Sequence, residues 1–255
     1  MSEDAEFQRP VTVSVVVHGQ WHLVEPLLHQ LQQHCGHAVD QVILTVNRPE
    51  PGVRTEGWKS PIRRIDNPAP KGFGANHNAA FAHCRTPWFL VINPDVRLDH
   101  DVLGELLARA QSSTGLITPR IQEPDKPQPE PYRDLLTPAE LWRRRRPGHR
   151  PPEQPAWVAG MFMLLRREAF EEVGGFDERY FMYCEDFDLC ARLRLAGWQI
   201  QVAGDLCVGH EAQRASNSSP RALAWHLESF ARVWTSSAFW RYRRLLRREG
   251  DVSRR

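Results

Sequence analysis

The chain lacks what would place it in a bilayer or outside a cell. No apolar run reaches the ~18–20 residues that a membrane-spanning helix needs. The opening Met1-Ser2-Glu3-Asp4-Ala5-Glu6 is acidic where a signal peptide carries an apolar core. No C-x-x-C pair exists, and the five cysteines (Cys35, Cys84, Cys184, Cys190, Cys207) are odd in number, which favours free thiols in a reducing cytoplasm over disulfides or a zinc site. No Gly-rich basic loop follows the first predicted strand, so the dinucleotide fingerprint is missing and a nucleotidyltransferase becomes the weaker alternative. There is no internal repeat. A net charge of +2 exerts no general pull on nucleic acid, and basic and aromatic residues interleave only near the C-terminus.

What is present suits an enzyme-sized α/β domain. The 255 residues are 41% hydrophobic and 25% charged, ordinary values for a globular protein with ample core. Val11-Thr12-Val13-Ser14-Val15-Val16-Val17 is β-branched and nearly continuous, as in a strand of a parallel sheet buried on both faces. Leu23, Leu27, Leu28 and Leu31 then recur at helical spacing. Further strands are predicted over 41–46, 61–65, 89–92 and 199–203, and helices over 101–110, 138–146, 167–173 and 185–196. Residues 71–84 read as a Gly-rich turn entering a helix. This alternation predicts a mostly parallel central sheet flanked by helices. Residues 122–155 are rich in proline and arginine and read as an insertion outside the core. The expected division is a single catalytic domain over 1–219 and a helical, basic, aromatic tail over 220–255.

Chemistry concentrates in a few places. Glu185, Asp186 and Asp188 put three carboxylates in four positions among aromatic and apolar neighbours. Carboxylates this close raise one another's pKa, and half-buried ones need a partner or a task. An acidic first turn of a helix is the plain alternative. Asn93-Pro94-Asp95-Val96 ends a buried strand, where open α/β sheets gather ligand-binding groups. One aspartate there suffices for Mg²⁺ or Mn²⁺, since substrate phosphates complete the shell; a simple turn uses the same residues. Lys71-Gly72-Phe73-Gly74-Ala75-Asn76-His77-Asn78 offers hydrogen-bonding groups for a nucleotide or sugar, or else a turn with Asn76 as helix cap. His210 becomes a metal ligand only if the fold returns it to Asp95. Gly160 lies in an apolar stretch that reads as core strand, where its missing side chain would admit a substrate.

Taken in order, these segments resemble the family 2 glycosyltransferases, in particular the rhamnosyltransferase branch of bacterial surface polysaccharide synthesis. The resemblance rests on the opening strand 13–17, on Asn67 with the 72–78 turn, on the 89–96 block and on the long block 160–192; it extends over residues 11–216. It implies the GT-A fold, a nucleotide-sugar donor (dTDP- or UDP-linked) and inversion at the anomeric carbon. By matching position it implies Asp186 as catalytic base with Glu185 beside it, and Asp95 and His210 at a divalent metal. Donor contacts would come from Val17, His18, Asn47, Lys71, Gly74, Asn76, Asn78, Asn93 and Asp95. Acceptor contacts would come from Trp157, Gly160, Glu185 and Asp188. Two departures stand out. The acidic nucleoside contact usual after the second strand is replaced, by Asn47 or by Glu50, and His18-Gly19-Gln20 replaces a common Thr-Tyr-Asn. These leave room for a catalytically impaired, sugar-binding relative. The implied acceptor is a glycan, often on a lipid carrier. The expected location is the cytoplasm, with peripheral membrane contact through the arginines and aromatics of residues 239–248.

Overall fold

The β-branched run forms β1 (Val11–Val17), at the centre of one sheet of a computed structural model that describes residues 9–211 and 220–252. Thr12 and Ser14 are buried along with its valines, because β1 is covered on both faces. It pairs in parallel with β2 (Val39–Val46) and β4 (Trp88–Ile92), and β2 pairs in parallel with β3 (Ile62–Asp66). Beyond β4 the sheet continues through β7 (Phe162–Arg166), β6 (Thr114–Gln122), β8 (Gln199–His210) and β5 (Val96–Arg97), giving the order β3-β2-β1-β4-β7-β6-β8-β5. β7 is antiparallel to both neighbours, and β6 is parallel to β8. β6 and β8 therefore run the same way as β1, β2 and β4. All five finish at one edge, and that edge is where ligand groups collect in an open α/β sheet.

Helices cover both faces. α1 (Trp21–His34) and α3 (Val102–Arg109) bury leucines and valines against one side. The other side packs α2 (Phe73–Phe81), α5 (Arg167–Glu172), α6 (Glu185–Leu195), α7 (Pro220–Thr235) and α8 (Ser237–Val252), with Phe170, Phe187 and Tyr242 fully buried. Among the described residues no helix is long and apolar enough to cross a membrane.

Three sequence expectations need correction. Gly160 and Met161 are not in a strand: they form the turn that precedes β7. The predicted 199–203 strand runs on to His210. The 122–155 segment, expected outside the core, contributes Leu136 to it. It contains α4 (Pro138–Arg143), whose Thr137 cap accepts from the Glu140 N–H, it buries Leu136, and its Leu136 carbonyl accepts from the Trp234 indole of α7. β6 went unread in the sequence because Gly115 and Pro119 punctuate it. Gly115 is needed there, since a Cβ would come 2.7 Å from Cβ of Trp198, and Pro119 sits at a register shift. The acidic start over 1–6, residues 212–216 of the matched block and the division at 219 lie outside the described residues.

Candidate active site

The edge where the strands end gathers Asn93 from β4, Asn47 from β2, His18 from β1 and His210 from β8. The turn before β7 joins them to the start of α6. Met161 accepts from the Asn93 N–H at 2.9 Å through its carbonyl, while the Gly160 N–H donates to Asp186 Oδ2 at 3.1 Å. The two-residue turn Gly160-Met161 thus ties the Asn93–Asp95 turn to the acidic helix. Gly160 leaves room for this approach: a Cβ would stand 3.1 Å from the Phe73 ring, which would have to shift slightly, and in ordinary contact with Cβ of Asp186.

α6 begins under tension. Tyr183 and Cys184 hold φ of 72° and 66°, the left-handed region that non-glycine residues avoid. They are held there by α7: Tyr183 stacks on His226 with centroids 3.5 Å apart, and the Ser229 hydroxyl donates to the Met182 carbonyl. The outcome is that Glu185 and Asp186 enter the first helical turn pointing inward. Asp186 Oδ1 also accepts from the Phe187 N–H at 2.8 Å. Burial raises the Asp186 pKa, and the Arg133 charge and the two N–H donors oppose that rise. Glu185 is 5% exposed, and its Oε2 has no hydrogen-bond partner. Burial, then the adjacent Asp186, push its pKa well above the usual carboxylate range. Asp188 is spent differently. It pairs with Arg192 at 2.7 Å, and that guanidinium also donates to the carbonyls of Val173 and Gly175.

Asp95 and His210 do meet. β5 pairs with the end of β8, placing His210 Nε2 3.3 Å from Asp95 Oδ2. Asp95 Oδ1 and His210 Nδ1 are buried and without partners. Buried polar atoms left unpaired are costly, and the facing pair, His210 Nε2 and Asp95 Oδ2, offers an imidazole nitrogen and an oxygen close enough to share one Mg²⁺ or Mn²⁺. The residues therefore fit a divalent metal with two protein ligands; among the described residues no cluster of three or more such side chains occurs.

The side chains expected at the donor are largely engaged inside the protein. Asn47 accepts from the Lys71 N–H and from Asn67, and donates to the Lys71 carbonyl; Asn67 also donates to Asn76. Asn76 is not a helix cap: it lies inside α2 and donates back to the carbonyls of Lys71 and Gly72. Asn78 clamps Phe176 through its N–H and carbonyl. Gly74 allows the Phe176 side chain to close on α2, where a Cβ would come within 2.6 Å. Glu50 accepts from the Trp21 N–H and caps α1. Val17 is fully buried, whereas His18 and Lys71 are exposed. Trp157 is buried, donates to the Asp134 carbonyl and meets Phe187 edge to face. Sequence reasoning missed Arg133, whose guanidinium lies 4.9 Å over the Trp157 ring and pairs with Glu130 at 2.7 Å. Nothing marks it among the prolines and arginines of its segment.

The profile of a family described as glycosyltransferase-like family 2 matches residues 6–251. The N-acetylglucosaminyl-diphospho-decaprenol L-rhamnosyltransferase of Mycobacterium tuberculosis is 35% identical over 164 residues, 56% of this chain and 53% of that protein. The rhamnosyltransferase WbbL of Escherichia coli K12 is 47% identical over 74 residues, 29% of this chain and 28% of that protein. The chain thus spans about half the length of the mycobacterial relative or less of the others. In three dimensions it is similar to a mannosyltransferase from Pyrobaculum calidifontis solved with GDP-Man and Mn²⁺, at a TM-score of 0.66 and 16% identity, over 91% of this chain and 66% of that one. The shared fold is GT-A.

Proposed function

This chain belongs to the glycosyltransferase-like family 2, and we propose that it transfers a sugar, rhamnose by analogy with its relatives, from a nucleotide-sugar donor to a hydroxyl of a glycan or lipid-linked acceptor, with inversion. The observation that carries the reading is the Gly160-Met161 turn, whose Gly160 N–H holds a raised-pKa carboxylate and whose Met161 carbonyl holds the Asn93–Asp95 turn.

Asp186 takes the proton from the acceptor hydroxyl as that oxygen attacks the anomeric carbon. The sugar–phosphate bond breaks on the opposite face, and the electron pair leaves with the nucleoside diphosphate. A carboxylate whose pKa is raised by burial is a better proton acceptor than one in water, and the Gly160 and Phe187 N–H groups keep it aimed. The Arg133 charge opposes that rise. Asp95 and His210 would hold Mg²⁺ or Mn²⁺, which when bound supplies positive charge for the departing diphosphate. The buried Glu185 shapes the acceptor side of the base. A nucleotide-sugar donor places the reaction in the cytoplasm. The donor is expected to be dTDP- or UDP-linked.

Asp186→Asn tests the assignment. Turnover should fall by roughly 10²–10⁴-fold, while the stabilisation of the protein by nucleotide with metal should persist. Turnover within a few-fold of wild type would remove Asp186 from the role of base.

A further inference from the structure

α4 and α8 enclose a groove of about 740 Å³ that the transfer chemistry does not use. Its floor is apolar, with Leu135, Trp234, Phe239 and Leu246. Arg143, Arg243 and Arg247 also line it, against a single carboxylate, Asp134. Two tryptophans stand in solvent beside it: Trp142 of α4 is 56% exposed and Trp240 of α8 is 45% exposed. Each carries a cation on its ring, Arg146 at 3.2 Å from the Trp142 centroid and Arg243 at 5.2 Å from that of Trp240. Among the described residues, Arg241, Arg243, Arg244, Arg247 and Arg248 of α8 form no ion pair and no hydrogen bond. An apolar stripe on α7 leads to the floor: Leu223, Leu227, Phe230 and Trp234 recur at helical spacing, and the two leucines are 61% and 62% exposed.

A solvated helix face keeps arginines but not leucines and tryptophans at this exposure. Their combination is that of the headgroup layer, where guanidinium groups bind phosphate in fork geometry and indole rings sit at the polar boundary. The exposed leucines favour a lipid over a nucleic acid. We propose that the face formed by α4, α8 and the outer stripe of α7 docks on an anionic lipid bilayer, its arginines on phosphate headgroups and Trp142, Trp240 and Leu223 in the interfacial layer. The sequence suggests such contact for the tail and for the arginine run 143–146; the structure sets α4 and α8 side by side as the two walls of one groove. The proposal extends the lipid-linked acceptor of the reaction above, and rests on that reading only for its biological purpose.

The full chain would be sedimented with phosphatidylcholine vesicles and with vesicles that also contain phosphatidylglycerol. Binding is expected to the anionic vesicles only, and to weaken with salt. Arg243→Glu combined with Arg247→Glu should lower the partition at least about tenfold, and Trp142→Ser combined with Trp240→Ser should lower it several-fold. All these positions are half-buried or exposed, so melting temperature and nucleotide-induced stabilisation should stay unchanged and show that the fold and donor site are intact. No sedimentation of wild type with anionic vesicles would overturn the proposal. So would equal binding by both double variants, or tighter binding of a single-stranded oligonucleotide than of vesicles. Loss of vesicle binding with normal turnover on a water-soluble acceptor separates this proposal from the catalytic one.

Discussion

Glu185→Gln probes the electrostatics of the site without touching the proposed base. Glu185 is almost wholly buried, its Oε2 lacks a partner, and Asp186 follows it directly. Burial first and Asp186 second raise its pKa. The folded state therefore binds the proton more tightly than the unfolded chain, whose glutamates titrate near 4.3. The sign follows from linkage: this residue costs nothing where both states are protonated, and it subtracts stability progressively as pH rises from about 4.3 to the raised folded value, then levels off. Glutamine keeps the shape and removes the charge. Glutamine is still polar, so only the extra cost of burying the charge is relieved, about 1–3 kcal/mol; the variant should gain about that much at alkaline pH and little near pH 5. For a domain of this size 1 kcal/mol moves the melting temperature by about 2–4 °C, and the expected gap at pH 9 is therefore about 2–12 °C. Differential scanning across pH 5–9 on both proteins reads it, and titrations elsewhere cancel in the difference. A gap that does not depend on pH, or a variant less stable at pH 9, would refute the reasoning and point to a cationic partner for Glu185.

Two further changes test other parts of the site. Asp95→Asn should abolish the extra melting-temperature shift that Mn²⁺ gives a nucleoside diphosphate, while the shift from nucleotide alone remains; an unaltered Mn²⁺ effect would place the metal elsewhere. Arg192→Ala leaves Asp188 buried without its cation and frees the carbonyls of Val173 and Gly175, so urea unfolding should show a loss of about 3–5 kcal/mol; a loss below about 1 kcal/mol would mean that the pair is solvated.

The central strands were legible because burial on both faces demands continuous β-branched residues, as in Val11–Val17. The acidic helix was legible because three carboxylates beside Phe181 and Phe187 are costly in any other setting. The meeting of Asp95 and His210 was not, since it depends on β8 running seven residues past the predicted end at Ala203 to pair with β5. The backbone of Tyr183 and Cys184 was also invisible, because nothing in an aromatic and a cysteine announces a left-handed conformation; α7 imposes it from outside the segment. Arg133 reaches Trp157 through an isolated bridge between the two residues, a long-range pairing with no periodic signal.

The four asparagines at this edge show how polarity in a sequence and availability in a fold diverge. Asn47, Asn67 and Asn76 bind one another and the Lys71–Gly72 backbone, and Asn78 binds Phe176. An amide already bonded gains little from a ligand, because the new hydrogen bond replaces an old one. The groups that gain most are those without an internal partner: Asp95 Oδ1 and His210 Nδ1, both buried, and the exposed ammonium of Lys71. In the proposed donor site the asparagines would act indirectly, by holding the 71–74 turn that carries Lys71. After the second strand, Asn47 serves as an internal strut, while Glu50 caps α1. If the donor binds as proposed, the backbone of this turn and the exposed His18 ring, whose Nδ1 lies 3.2 Å from the Asn47 amide, would be the groups left to meet the nucleoside.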